Sequence, residues 1–171
     1  IDHFFKQVGV FRSAEKIRGS RQYGQNVAIS ELGCIGIGAR PDLEQVQSEF
    51  GFQMPTRTFR KYMSYHAGDE IVELYEAHGE THDMLFVWLP RTRTLLPGDN
   101  YYHAFPNLYT IRGTSPRPVK SWVNSLDMIR GMKPDYLVPS HTEPIIGSMA
   151  ISDQLTIYRD AIQWVYTETV K

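Results

Sequence analysis

The sequence predicts an α+β or layered α/β domain, and three observations carry that reading. Strand-like runs come in consecutive pairs joined by turn residues, two later segments repeat apolar residues at helical spacing, and a strict βαβ alternation is missing. The 171 residues, 42% hydrophobic and 22% charged, suffice for one domain with a real core.

Taken in order, "FFKQVGVFRSAEKI" is amphipathic and reads as a helix, and "NVAIS" as a short strand. A glycine-rich stretch, "GCIGIG", precedes a helical piece near Leu43 to Phe50, where Leu43, Val46 and Phe50 recur at helical spacing. Those glycines lack the strand-glycine-helix order of a phosphate cradle, which disfavours a dinucleotide fold. "MPTRTF" and "KYMSYHAGDEIVELYEAH" carry apolar runs broken by Gly68, as expected of an antiparallel pair turning at "AGDE". "DMLFVWLP" and "RTRTLLPGD" read as a second pair, turning near Pro90 to Arg93. From Arg117 the period becomes helical: Val119, Trp122, Val123, Leu126 and Ile129 share one face, after a proline suited to a first turn. "DYLVPSH" reads as a short buried strand ending in histidine. The last segment repeats the stripe through Leu155, Tyr158, Ile162 and Val165, with Ser152 or Asp153 as the expected cap.

Composition narrows the function classes. A formal net charge of -1 gives no global field to hold nucleic acid, and the local run of Arg12, Lys16, Arg18 and Arg21 reads as solvated surface rather than a phosphate contact. Cys34 is the only cysteine, which excludes an internal disulfide and a cysteine-built metal site. Six histidines remain as ligands. No apolar run reaches the roughly 18 residues that a membrane span needs. The opening "IDH" shows neither an initiator methionine nor a leader, so the expectation is that residues precede Ile1 in the intact protein.

Potential ligands fall at the ends of apolar runs. Glu80 follows the run ending near Ala77, Asp99 follows "TLLPG", His141 follows "YLVPS", and Asp2 and His3 precede a helix. Residues so placed can converge on one edge of a folded sheet. Each has a bland alternative: Asp99 as a turn residue, Glu80 as a surface acid, His141 as a core or surface histidine, Asp2 and His3 as terminal residues. As a set without thiolates they suit zinc, manganese or iron, and several shared carboxylates suit two ions better than one. His78, His82 and Asp83, crowded into "HGETHDM", have no role on this reading beyond Asp83 as an acceptor that orients a ligand.

These motifs resemble the metallo-β-lactamase superfamily, and within it the alkyl sulfatases. "IDH" matches the last part of a His-x-His-x-Asp-His motif; "GET" puts Glu80 where the superfamily has a histidine, a replacement typical of alkyl sulfatases. "LLPGD" matches the bridging-acid motif at Asp99, where alkyl sulfatases usually have Glu, and "PSHTEP" the last histidine motif at His141. "NLYTIRG" looks like the alkyl-sulfatase segment whose Asn and Arg contact sulfate, here Asn107 and Arg112, with Tyr109 between them. Tyr109 is expected to pack, although its hydroxyl could face the pocket. "YRDAIQWVY" looks like a helix leaving the catalytic domain.

The resemblance implies an αββα sandwich, incomplete here because its N-terminal strands are missing. Residues 1–150 would form most of the catalytic domain, and 151–171 a helix leading toward a dimerisation region. It implies two Zn2+ per complete site, with Mn or Fe possible: Glu80 and two upstream histidines on one ion, Asp2, His3 and His141 on the other, and Asp99 bridging. Asp2 and Asp99 would be catalytic. Water between two such cations loses a proton near neutral pH and becomes the nucleophile, while Asn107, Arg112 and Tyr109 would contact the sulfate ester. The implied partners are a complementary N-terminal polypeptide carrying the His-x-His ligands and, for the complete protein, a second copy in a homodimer. The implied compartment is periplasmic or secreted. Hydrolysis of another ester, a lactone or a β-lactam, and a non-catalytic assembly subunit of the same fold, stay open as alternatives.

Overall fold

The computed structural model describes residues 12–22, 27–28, 31, 53–109 and 116–171. Helix α1 spans Arg12–Gln22, within the amphipathic opening segment. The short strand expected at "NVAIS" is not formed at Val27 and Ala28, where the Glu31 N–H donates to the Ala28 carbonyl at 2.9 Å and closes a turn. The helix expected near Leu43 to Phe50 lies outside the described residues.

Strands β1 (Tyr62–Ala67), β2 (Glu70–Glu76), β3 (Leu85–Leu89), β4 (Thr94–Leu96), β5 (Tyr136–Leu137) and β6 (Ile145–Ile146) form one sheet in sequence order. The β1–β2 pair turns at Gly68, whose φ of +63° suits a residue without Cβ. "MPTRTF" forms no strand; pairing begins only at Tyr62. The β3–β4 pair turns where expected, the Arg93 N–H reaching the Pro90 carbonyl at 3.3 Å. Strand β3 alternates, with Phe86 and Trp88 buried and its other residues half-buried, so one face meets the core.

Helix α2 (Val119–Gly131) crosses from β4 to β5, which pair in parallel. Pro118 stands at its N-cap and Pro134, just beyond its end, prevents continuation. Its expected face is the buried one: Trp122, Val123, Leu126 and Ile129 meet Phe86, Leu95 and Leu137 of the sheet. Helix α3 (Ser148–Thr169) adds Ile151, Leu155, Tyr158 and Ile162 to the same core. It starts earlier than expected. Gly147, at φ +99°, is the N-cap and its carbonyl accepts from the Ile151 N–H at 3.0 Å, so Ser152 and Asp153 lie inside the helix and cap nothing. Val165, expected on the apolar stripe, is only half-buried. Strand β6 was not foreseen: two residues after a proline are too short for any periodicity to register.

No helix among the described residues is long and apolar enough to cross a membrane.

Candidate functional site

The loop between β2 and β3 is held by the turn that follows β4. Asn100, fully buried at the end of the short 3-10 helix Gly98–Asn100, donates from Nδ2 to the Ala77 carbonyl at 2.7 Å. Its Oδ1 accepts the Glu80 backbone N–H at 3.3 Å, and its own carbonyl accepts the Trp122 indole N–H at 2.9 Å. One side chain thus mimics a missing strand partner for the loop. Gly79 makes the approach possible. A Cβ there would stand 1.9 Å from Asn100 Oδ1 and 3.0 Å from the Trp122 ring.

This network aims Glu80 at the rim. The Arg117 guanidinium, only 8% exposed, donates from Nη2 to Glu80 Oε1 at 2.6 Å and lies 5.8 Å over the Trp122 ring. Burial pushes the Glu80 carboxyl above the ordinary carboxylate range; Arg117 opposes that shift, the negative charge of Asp99 adds to it, and His141 opposes it. Asp99 sits in the 3-10 helix after a residue, Gly98, at φ +59°, and its Oδ1 lies 3.3 Å from His141 Nε2. His141 follows β5 and is largely exposed. Glu80, Asp99 and His141, from three separate turns, therefore share one electrostatic neighbourhood.

Asp2, His3 and Arg112 lie outside the described residues. Among the described residues no group of three or more His, Cys, Asp and Glu side chains is arranged to hold a metal. The donor set nevertheless fits a cation: the negative charge of Asp99 adds to the cost of ionising Glu80, and the His141 imidazole lies beside Asp99. Asn107 is exposed. Tyr109 does not pack as expected. It is 60% exposed, and Leu108 packs against the core beside it.

The rest of the "HGETHDM" cluster is largely structural. His78 Nε2 meets Glu76 Oε1 at 2.7 Å, and its carbonyl accepts the Ser125 hydroxyl of α2 at 2.7 Å. Asp83 accepts the Thr81 hydroxyl at 2.6 Å, a bond within its own turn. The His78 and His82 rings are 6.3 Å apart.

Sequence reasoning missed Asn100, Arg117 and Tyr102. Asn100 carries no local signal, since an Asn after "PGD" reads as turn chemistry. Arg117 did carry one: a cation at a helix N-terminus opposes the helix dipole and so calls for a specific anionic partner.

The metallo-beta-lactamase superfamily profile matches residues 30–141. A linear primary-alkylsulfatase from Pseudomonas sp. is 32% identical over 121 residues, which are 70% of this chain and 23% of that protein. The matched stretch therefore spans about a quarter of the length of that relative. A double mutant of a sec-alkyl sulfatase superposes with a TM-score of 0.76 at 22% identity, over 99% of this chain and 27% of that one. A metallo-beta-lactamase family protein from Thermus thermophilus gives 0.59 at 17% identity, over 94% of this chain and 48% of that one. At such identities the structural likenesses speak for the fold.

Proposed function

Since this chain belongs to the metallo-beta-lactamase superfamily, we propose that it serves a metal-dependent hydrolase of alkyl sulfate esters. The observation that supports this reading best is the Asp99–His141 pair, 3.3 Å apart, whose charges both reach Glu80. The substrate class rests on the 32% identity to a linear primary-alkylsulfatase.

In this reading the residues that would hold two ions, zinc by preference, are Glu80 with histidines upstream of Ile1 for one, Asp2, His3 and His141 for the other, and Asp99 shared by both. Such ions supply Lewis acidity, which lowers the pKa of water and offsets charge on the sulfate group. The chain's own contribution is positional. Asp99 and Asp2 bring negative charge to the ion pair, and the Asn100 network keeps the Glu80 turn from shifting when substrate enters. Asn107 and Arg112 donate to sulfate oxygens, Arg112 with a planar fork that matches two of them. Tyr109, exposed beside Asn107, is left to contact the ester from solvent. A homodimer joined beyond α3 belongs to the same reading.

The test uses protein extended upstream of Ile1. Wild type should retain about two zinc ions per site and release inorganic sulfate from a medium-chain alkyl sulfate, while Glu80→Ala should lose metal and His82→Ala keep it. Equal metal loss in both variants would reassign the ligand within the cluster. Absence of metal from wild type would favour an assembly role for the fold.

A further inference from the structure

Arg117 is unusually placed for a charged side chain. It directly precedes the N-cap of α2, where the helix dipole disfavours a cation, and it is nine-tenths buried against Trp122. Its Nη1 is buried with no acceptor, so its hydrogen bonding is incomplete. As a stabilising device it is therefore poor, because a buried guanidinium with an unmet donor loses more hydration than one ion pair returns. Its reach in two directions suggests another role. On one side Nη2 grips Glu80 Oε1 at 2.6 Å. Close by lies the Tyr102 hydroxyl, which feels both the guanidinium and the Asn107 backbone. Arg117 thus stands between the Glu80 carboxylate, which it holds directly, and Tyr102 in the segment that leads to Asn107.

We infer that Arg117 is a positioning residue: it fixes the rotation of the Glu80 carboxylate, assigning any metal bond to Oε2, and ties that carboxylate to the Asn107 loop. This rests on the reading of Glu80 as a ligand given above. Two opposed effects make the inference testable. Removing a positive charge close to a cation should by itself tighten metal binding, whereas releasing the carboxylate to rotate should weaken it, as loss of a hydrogen-bond partner to a metal ligand commonly does by about 10–100-fold. Only the second effect follows from positioning.

The experiment measures zinc affinity by chelator competition in the protein extended upstream of Ile1, for wild type, Arg117→Met, Arg117→Lys, Glu80→Gln and the Glu80→Gln/Arg117→Met double variant. Expected are a loss of roughly 10–100-fold for Arg117→Met, a smaller loss for Arg117→Lys, which keeps the charge but has no fork, and no further loss in the double variant beyond Glu80→Gln. Steady-state kinetics on the same proteins should show KM for an alkyl sulfate rising in Arg117→Met even at saturating zinc, because the Asn107 loop is released. Zinc affinity unchanged or tighter in Arg117→Met, or losses that simply add in the double variant, would overturn the inference while leaving Glu80 a ligand. Unchanged affinity in Glu80→Gln would instead remove Glu80 as a ligand and take both readings with it. Should Arg117→Met fail to fold, Arg117→Gln, which keeps a donor for the Tyr102 hydroxyl, is judged by the same criteria.

Discussion

The Glu80 turn and the Asp99–His141 contact share one rim yet are built in opposite ways. Glu80 is held by its backbone through Asn100, by its side chain through Arg117, and from below by Gly79 packed on Asn100 and Trp122. Asp99 and His141 share a single contact at 3.3 Å, and the His141 side chain is 68% exposed. One position is fixed by the fold; the other is held by one contact at the surface. The side chain held on several sides is the half-buried one, and the exposed His141 is left free to adjust to whatever the proposed site takes up.

The sharpest way to break the comparison is to empty the support under Glu80. Trp122 is fully buried and donates to the Asn100 carbonyl, so Trp122→Ala should cost about 3–5 kcal/mol of folding stability, the usual range for truncating a buried large aromatic. Chemical denaturation measures it. Asn100→Ala comes next. It leaves the Ala77 carbonyl without its side-chain donor and the Glu80 N–H without its acceptor, a loss of about 1–3 kcal/mol for each group that stays buried. Gly79→Ala follows at about 1–3 kcal/mol, because a methyl group 1.9 Å from Asn100 Oδ1 forces that side chain to move. Crystallography or amide chemical shifts of the variant should show displacement centred on Asn100. At the other end of the rim, His141→Ala should change stability by less than about 0.5 kcal/mol, as exposed positions do. If His141→Ala proved as destabilising as Asn100→Ala, the contrast between a fixed and an adjustable side would be lost.

How much of this was legible in the sequence follows the same division. The two helix faces and both hairpins could be read because periodicity and turn chemistry are local: Trp122, Leu126 and Ile129 repeat at helical spacing, and Gly68 and Pro90 punctuate the strand pairs. Glu80, Asp99 and His141 could be proposed because each ends an apolar run. The β4–β5 parallel pairing and β6 could not, since two-residue strands carry no period and their partners lie far along the chain. Asn100 was invisible for a different reason, and Arg117 signalled only that it needed an anionic partner, not which one. Their importance comes from contacts 20 and 37 residues away, with Glu80 in both cases, and a polar residue next to a turn or a proline announces none of that.

The smallest expected effect concerns pH and bears on how the Glu80 side is balanced without metal. Burial, augmented by Asp99, raises the Glu80 pKa in the folded protein despite Arg117. An acid whose folded pKa exceeds its unfolded value holds its proton longer in the native state, so the native state binds more protons than the unfolded one between the two values. Stability of the metal-free protein should therefore fall, relative to Glu80→Gln, as pH rises from about 4.3, the unfolded glutamate value, through the raised folded pKa, and level off above it. Paired denaturation curves for wild type and Glu80→Gln at several pH values in the presence of a chelator measure the slope. A slope of the opposite sign would mean that Arg117 outweighs burial and Asp99 together, and the Glu80 carboxylate would then be stabilised by the fold alone, with less to gain from a bound cation. Added zinc should reverse the trend only where the carboxylate can ionise, so the two slopes together report whether the preorganised side of the rim is strained in the absence of metal or already at rest.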